Sequence, residues 1–140
     1  MFKLREKIKK IIFPVSLAFF LFLDRWLKIQ YLNRQDAFYN YNIALSPIPA
    51  GTGFLLLAVL VLVYLVVEFV RCWRREERLM CYALGFIIIG ALSNFFDRFQ
   101  YGAVVDYWHT LLTVFNLADV GILVGLFMIL WKTISRSKKV

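Results

Sequence analysis

Four apolar runs separated by clusters of Lys and Arg constrain this chain more than any other feature of its sequence. Crossing the hydrocarbon core of a bilayer takes about 20 apolar residues in a helix. Runs near that length lie at about Ile11–Leu32, Phe54–Val70, Leu79–Phe96 and Phe115–Trp131. Each is apolar nearly all round, as lipid-facing helices are. Composition agrees, since 61% of the 140 residues are hydrophobic and mean hydropathy is +0.69. Soluble domains lie nearer about 45–50% apolar. The expectation is an all-α membrane protein, a bundle of four transmembrane helices forming one domain over residues 1–140.

A net charge of +8 would suggest nucleic acid in a soluble protein. Here the basic residues are grouped between apolar runs, which reads as topology and argues against a nucleic-acid partner. Lys3, Arg5, Lys7, Lys9 and Lys10 precede the first run. Arg71, Arg74, Arg75 and Arg78 join the second to the third, and Lys132, Arg136, Lys138 and Lys139 follow the fourth. Only Arg25, Lys28, Arg34 and Arg98 lie toward the other side. The excess of basic residues on cytoplasmic segments predicts both termini inside the cell. A basic arm before an apolar stretch also fits a signal peptide. However, Asp24, Arg25 and Trp26 follow it in place of a small-residue cleavage site, so a retained helix is expected.

Two outer connections remain, at about 33–53 and 99–114. The first, with Phe38-Tyr39-Asn40-Tyr41-Asn42-Ile43, predicts a small β-like element on the membrane surface. The second carries Tyr101, Tyr107 and Trp108, suited to the interfacial aromatic belt. Cys72 and Cys81 form no C-x-x-C pair and read as reduced hydrophobes.

Ionisable groups beside lipid are costly and mark candidate function. Glu68 is expected to pair with Arg71 or Arg75, and Glu76 and Glu77 to act as solvated countercharges. On the outer side, Asp24 and Lys28 stand i,i+4. Asn94 and Asp97 stand i,i+3 with Arg98 following, and Asn116 and Asp119 are again i,i+3. As helix caps and bundle contacts, Asp97 would neutralise Arg98 and Asp24 would neutralise Lys28. Asp106 and Asp119 differ, because neither has an adjacent basic residue. Two converging carboxylates can perform aspartyl proteolysis, one ionised to activate water and one protonated to polarise a carbonyl. His109, the one histidine, reads as a surface residue, and Gly121 and Gly125 as a close-packing motif in the fourth helix.

Taken in order, these segments resemble a known family. D-x-x-x-K (Asp24, Lys28), N-x-N-x-x-x-S (Asn40, Asn42, Ser46), G-A-L-S-N-F-F-D-R (Gly90 to Arg98), G-A-V-V-D-Y (Gly102 to Tyr107) and F-N-L-A-D (Phe115 to Asp119) look like lipoprotein signal peptidase, or signal peptidase II. The resemblance implies a bacterial inner-membrane aspartyl endopeptidase that removes signal peptides from lipid-modified prolipoproteins. It implies a monomer without metal or organic cofactor, with Asp106 and Asp119 as the catalytic dyad. Asn40, Asn94, Asn116, Asp97, Arg98, Asp24 and Lys28 fall on family positions that bind substrate or support the site. The chain departs from the family pattern at Asn42, Leu45, Ser93 and Val120, and its outer loops are short. Those departures bear on loop geometry and substrate range. A non-enzymatic accessory or immunity protein, or an inactive paralogue, would use the same bundle and tolerate substitution of either Asp106 or Asp119.

Overall fold

The computed structural model describes residues 2–42, 51–111 and 113–137. Four long helices account for most of it: α1 Phe2–Asn33, α2 Thr52–Arg74, α3 Arg78–Tyr101 and α4 Leu117–Ser137. The first three expected apolar runs each fall within one of them, and the fourth does so from Leu117 onward. The helices extend past the runs into charged segments of the sequence. Among the described residues, three helices are long and apolar enough to cross a membrane, at Gly53–Arg74, Arg78–Tyr101 and Leu117–Ser137. Leu45 and Ser46 lie outside the described residues.

Helix α3 is the centre of the bundle, packed against α4, α2 and α1. Small residues permit the approach, because apolar area alone gives helices no drive to associate in lipid. A Cβ on Gly90 would lie 2.4 Å from the Ala118 carbonyl oxygen, and one on Gly125 would lie 2.5 Å from that of Ala83. Gly121 meets the Phe20 ring, and Gly85 meets Phe13 and Leu17. The expected role of Gly121 and Gly125 in packing within the bundle therefore matches their surroundings. Outward positions such as Phe19, Phe22, Leu56, Leu60, Leu123 and Phe127 are exposed, forming the apolar exterior.

The charged end of the bundle opposite the site is tied by ion pairs. Glu68 pairs with Arg71 at 2.5 Å. Glu77 pairs with Lys132 of α4, which holds its carboxyl below the usual range, so this residue is more than a solvated countercharge. Cys72 and Cys81 are free thiols buried with Leu84 and Ile88 in one apolar cluster.

At the other end the two connections meet. Strand β1 (Phe38–Asn40) runs antiparallel to β2 (Val104–Asp106), with Phe38 opposite Asp106 and Asn40 opposite Val104. Strands β3 (Trp108–His109) and β4 (Val114–Phe115) form a second antiparallel pair, with Trp108 opposite Phe115. The 99–114 segment thus carries three strands, more structure than its aromatic composition suggested. Its two valines are β-branched and all three residues of Val104–Asp106 are buried, which suits a strand covered on both faces. Gly102 ends α3 with φ 71° and donates its N–H to the Arg98 carbonyl, turning the chain directly into β2. Phe115 enters β4 instead of the fourth helix, which starts at Leu117.

Candidate active site

Asp106 closes β2, and Asp119 lies in the first turn of α4. The β3–β4 hairpin brings them together, because Tyr107 N–H bonds the Phe115 carbonyl and so fixes Asp106 beside Asn116. Asn116 is the N-cap of α4, with its Oδ1 accepting the Asp119 N–H at 3.0 Å. Asp119 Oδ2 reciprocates on the Asn116 N–H at 3.2 Å. This is a capping box with Asn and Asp in the two roles. Cap and candidate catalytic residue are therefore the same side chains, so the structural and functional readings of Asn116 and Asp119 do not compete.

Asn116 also joins the two carboxylates. Its Nδ2 donates to Asp106 Oδ1 at 2.5 Å, to Asn94 Oδ1 at 3.1 Å and to the Val105 carbonyl at 3.3 Å. Asn94 donates to Asp119 Oδ1 at 2.7 Å, and Asn40, from β1, donates to Asp106 Oδ2 at 3.0 Å. Asp106 is 1% exposed, whereas Asp119, Asn94 and Asn40 are half-buried, so the site opens on their side. Burial pushes the Asp106 carboxyl up to about 6, with the negative charge of Asp119 adding to the effect. The hydrogen bonds from Asn40 and Asn116 act in the opposite direction.

Behind Asp106 and Asp119 lies a charge network built on buried groups. Asp24, Lys28 and Asp97 are each 0% exposed. Lys28 Nζ lies 2.7 Å from Asp97 Oδ2, 3.2 Å from Asp24 Oδ2 and 3.0 Å from Asn94 Oδ1. Arg25 forms a second ion pair with Asp97 and lies over the Phe96 ring at 4.7 Å. Two carboxylates thus face two cations, which meets the requirement that buried charge be compensated. Asp24 also accepts the Ala118 N–H at 2.9 Å and the Tyr107 hydroxyl at 3.4 Å, so it seats the start of α4. Tyr107 accepts the Leu117 N–H, and burial pushes its phenol up, keeping it neutral. Asp97 accepts the Val105 N–H at 3.2 Å, which places β2 relative to α3.

The expected pairing of Asp24 with Lys28 is present, but that of Asp97 with Arg98 is not. Consecutive residues on a helix do not face each other, so Asp97 turns inward to Arg25 and Lys28 while Arg98 turns to the first connection. Arg98 Nη2 donates to the Asn42 carbonyl at 2.8 Å, and the guanidinium lies 5.2 Å from the Phe54 ring centroid. Its buried Nη1 has no hydrogen-bond partner among the described residues.

Three participants escaped the sequence reading. Arg25 appeared there only as an outer-side charge, although its place three residues before Lys28 puts it on nearly the same helix face. Ser93, expected only as a departure from the family pattern, donates its hydroxyl to Asp24 Oδ2 and lies 3.3 Å from Lys28 Nζ. Tyr107, expected in the interfacial belt, is buried and stacked on Tyr31. His109 is exposed, as expected. Among the described residues no group of His, Cys, Asp and Glu has the arrangement of a metal site.

Comparison with known proteins agrees with this architecture. The chain is 33% identical over 111 residues to a lipoprotein signal peptidase of Polynucleobacter necessarius, covering 71% of this chain and 66% of that protein. It is 37% identical over 102 residues to that of Methylocella silvestris, covering 68% and 60% respectively. The chain therefore spans slightly under two thirds of the length of these curated relatives. A bacterial membrane enzyme solved by the in meso method at 2.3 Å resolution superposes with a TM-score of 0.76. That match covers 91% of this chain and 90% of the other at 18% identity, so it speaks to fold alone. The family model for signal peptidase (SPase) II matches residues 4–135, and the chain belongs to that family.

Proposed function

We propose that this chain is an aspartyl endopeptidase that removes the signal peptide from diacylglyceryl-modified prolipoproteins, cutting the bond before the lipidated cysteine. The observation carrying the proposal is the convergence of Asp106 and Asp119 on one Asn116 side chain, where buried β2 meets the start of α4. The raised proton affinity of Asp106 lets the pair hold a single proton up to about pH 6. Water held between the carboxylates attacks the scissile carbonyl carbon and gives its proton to the ionised member. The protonated member gives its proton to the carbonyl oxygen. Collapse of the tetrahedral gem-diol returns one hydroxyl proton to the now ionised carboxylate and breaks the C–N bond, while the departing cysteine amine takes the proton of the other, so the pair again holds one proton. Both carboxylates change state during the cycle, so the apparent pKa values belong to the pair. The unpaired Nη1 of Arg98, in the field of both carboxylates, is a donor for substrate carbonyl oxygen.

The surroundings support a substrate presented from lipid. The chain acts as a single integral membrane domain over residues 1–140, working as a monomer in the bacterial inner membrane. Helix α1 is the fourth span. Its half from Ile11 to Phe22 exposes Ile11, Ile12, Val15, Phe19 and Phe22, while Asp24 and Lys28 are turned into the bundle. With both termini cytoplasmic, the dyad stands at the extracytoplasmic interface, where a diacylglyceryl anchor holds the cleavage site.

The test compares a diacylglyceryl-modified precursor with the same precursor lacking lipid, incubated with the purified chain in bicelles and read by mass spectrometry. Cleavage of the lipidated form alone, with the new N-terminus at the modified cysteine, is expected. No cleavage, or cleavage elsewhere in either form, contradicts the proposal.

A further inference from the structure

The proposed reaction uses Asp106 and Asp119 and leaves unexplained why a lysine with no exposed surface lies one residue away from the dyad. Lys28 is fully enclosed and touches neither carboxylate of the pair, so it is not a catalytic residue. Asp24 and Asp97 account for two of its three N–H donors. Its remaining contacts, both on α3, are Asn94 Oδ1 at 3.0 Å and the Ser93 hydroxyl at 3.3 Å.

An ammonium only donates hydrogen bonds, so the Asn94 atom facing it must be the carbonyl oxygen. Asn116 Nδ2 donates to the same oxygen at 3.1 Å, which reinforces that orientation. The amide is planar, so its Nδ2 is then forced toward Asp119, where it donates to Oδ1 at 2.7 Å. We infer that Lys28 is a positioning residue that acts through Asn94, holding that amide with its donor on Asp119 and so keeping Asp119 in its ionised, water-activating state. The inference rests on the aspartyl reading of the site. A flipped Asn94 would present its oxygen to the carboxylate and repel it, and only the donors on the far side prevent the flip.

Charged and titratable groups approach this network from every element packed around it. Asp24 and Arg25 come from α1, with Arg25 engaged by Asp97. Asp97 and Arg98 come from α3, and Asp106 and Tyr107 from β2 and the residue after it. Asp24 and Lys28 both act electrostatically on Asp119. Lys28 is the one cation among them hydrogen-bonded to a direct partner of Asp119.

The experiment is the pH profile of kcat for cleavage of a lipidated precursor by the full chain. In Lys28→Met the acid limb moves up by about one pH unit or more, the displacement expected when a nearby opposite charge is lost. Below the limb that is roughly a tenfold loss of kcat per unit, with KM unchanged because Lys28 meets no substrate. Asn94→Ala moves the limb in the same direction, and the double variant moves less than the sum of the two single shifts, because part of the Lys28 effect passes through Asn94. Lys28→Arg, which keeps the cation and its donors, restores part of the shift. Because Lys28→Met leaves Asp24 poorly compensated, the pair K28M/D24N is also compared with D24N alone, and its limb lies higher. An unmoved limb in Asn94→Ala, or in either Lys28 comparison at equal folded concentration, overturns the inference. So does an additive double variant. A parent chain that fails to cleave, or Asp variants that still do, would instead reject the proposed function.

Discussion

Replacing Asp97 by Ala should be among the most destabilising single substitutions in this chain. The carboxylate is fully buried and serves Lys28 at 2.7 Å, Arg25, and the Val105 N–H at 3.2 Å. Its loss leaves Asp24 as the one carboxylate opposite two cations. Removing one member of a buried ion pair costs about 3–5 kcal/mol, because the remaining charge stays desolvated. The stranded Val105 N–H costs about 1–3 kcal/mol more where no water reaches it. These terms overlap, so about 4 kcal/mol is expected, a large share of a total stability of about 5–15 kcal/mol. Asp97→Asn keeps an acceptor for Val105 and should lose less. Arg98→Ala removes one bond to the Asn42 carbonyl and a contact with the Phe54 ring, and should cost only about 1–2 kcal/mol. The assay is unfolding in mixed detergent micelles with rising SDS, followed by tryptophan fluorescence and helical circular dichroism. An Asp97→Ala protein as stable as the parent, or Arg98→Ala as the weaker of the two, would refute the assignment of Asp97 to Arg25 and Lys28.

Packing, titration and topology give three further outcomes. Gly125→Ala places a Cβ 2.5 Å from the Ala83 carbonyl and should cost about 1–3 kcal/mol in the same SDS titration. Gly51→Ala, where a Cβ meets nothing within 4 Å, should change little, and equal effects would contradict the α3–α4 packing. The Asp106 carboxyl is raised from 3.8 to about 6, so the folded protein binds the extra proton and this residue's contribution to stability falls as pH rises through that window. Asp106→Asn should therefore gain stability relative to the parent between about pH 4 and 6, and a parent-like pH dependence would contradict the raised value. Single cysteines introduced at Arg74 and Arg136 should label only from the cytoplasm and those at Asn42 and Tyr101 only from outside. Labelling of Tyr101Cys from the cytoplasm alone would put the dyad in the wrong compartment.

The sequence was informative where physics acts along the chain, and less so where it acts across it. Apolar length located all four helices, since lipid leaves an exposed backbone little choice but internal hydrogen bonding. The i,i+4 spacing of Asp24 and Lys28 was enough to pair them. It could not show that Asp97, 69 residues later on another helix, shares the same ammonium. Reading Asp97 with Arg98 failed because adjacency in sequence is divergence on a helix. The strand pairing of Phe38–Asn40 with Val104–Asp106 was hidden for a related reason. Three-residue strands carry almost no periodic signal, and their hydrogen bonds are long-range. Asp106 and Asp119 could be singled out because they lacked basic neighbours. Their link through Asn116 depends on a β3–β4 hairpin that aromatic composition disguised as a membrane-surface loop.

The account stands or falls on whether both carboxylates are needed for the chemistry. Asp106→Asn and Asp119→Asn each keep size and one acceptor oxygen while removing the ionisable group, and comparison at matched folded concentration separates reaction from folding. The decisive measurement is the single-turnover rate of cleavage of a diacylglyceryl-modified precursor by each variant, at matched concentrations of folded protein in bicelles. Loss of a positioned acid or base is worth about 10²–10⁴ in rate, so each variant should fall by at least the lower figure. The double variant should be little worse than either single one, because the two groups act as a unit. Cleavage by either single variant at a rate near that of the parent would contradict the dyad and favour a non-catalytic role for the bundle.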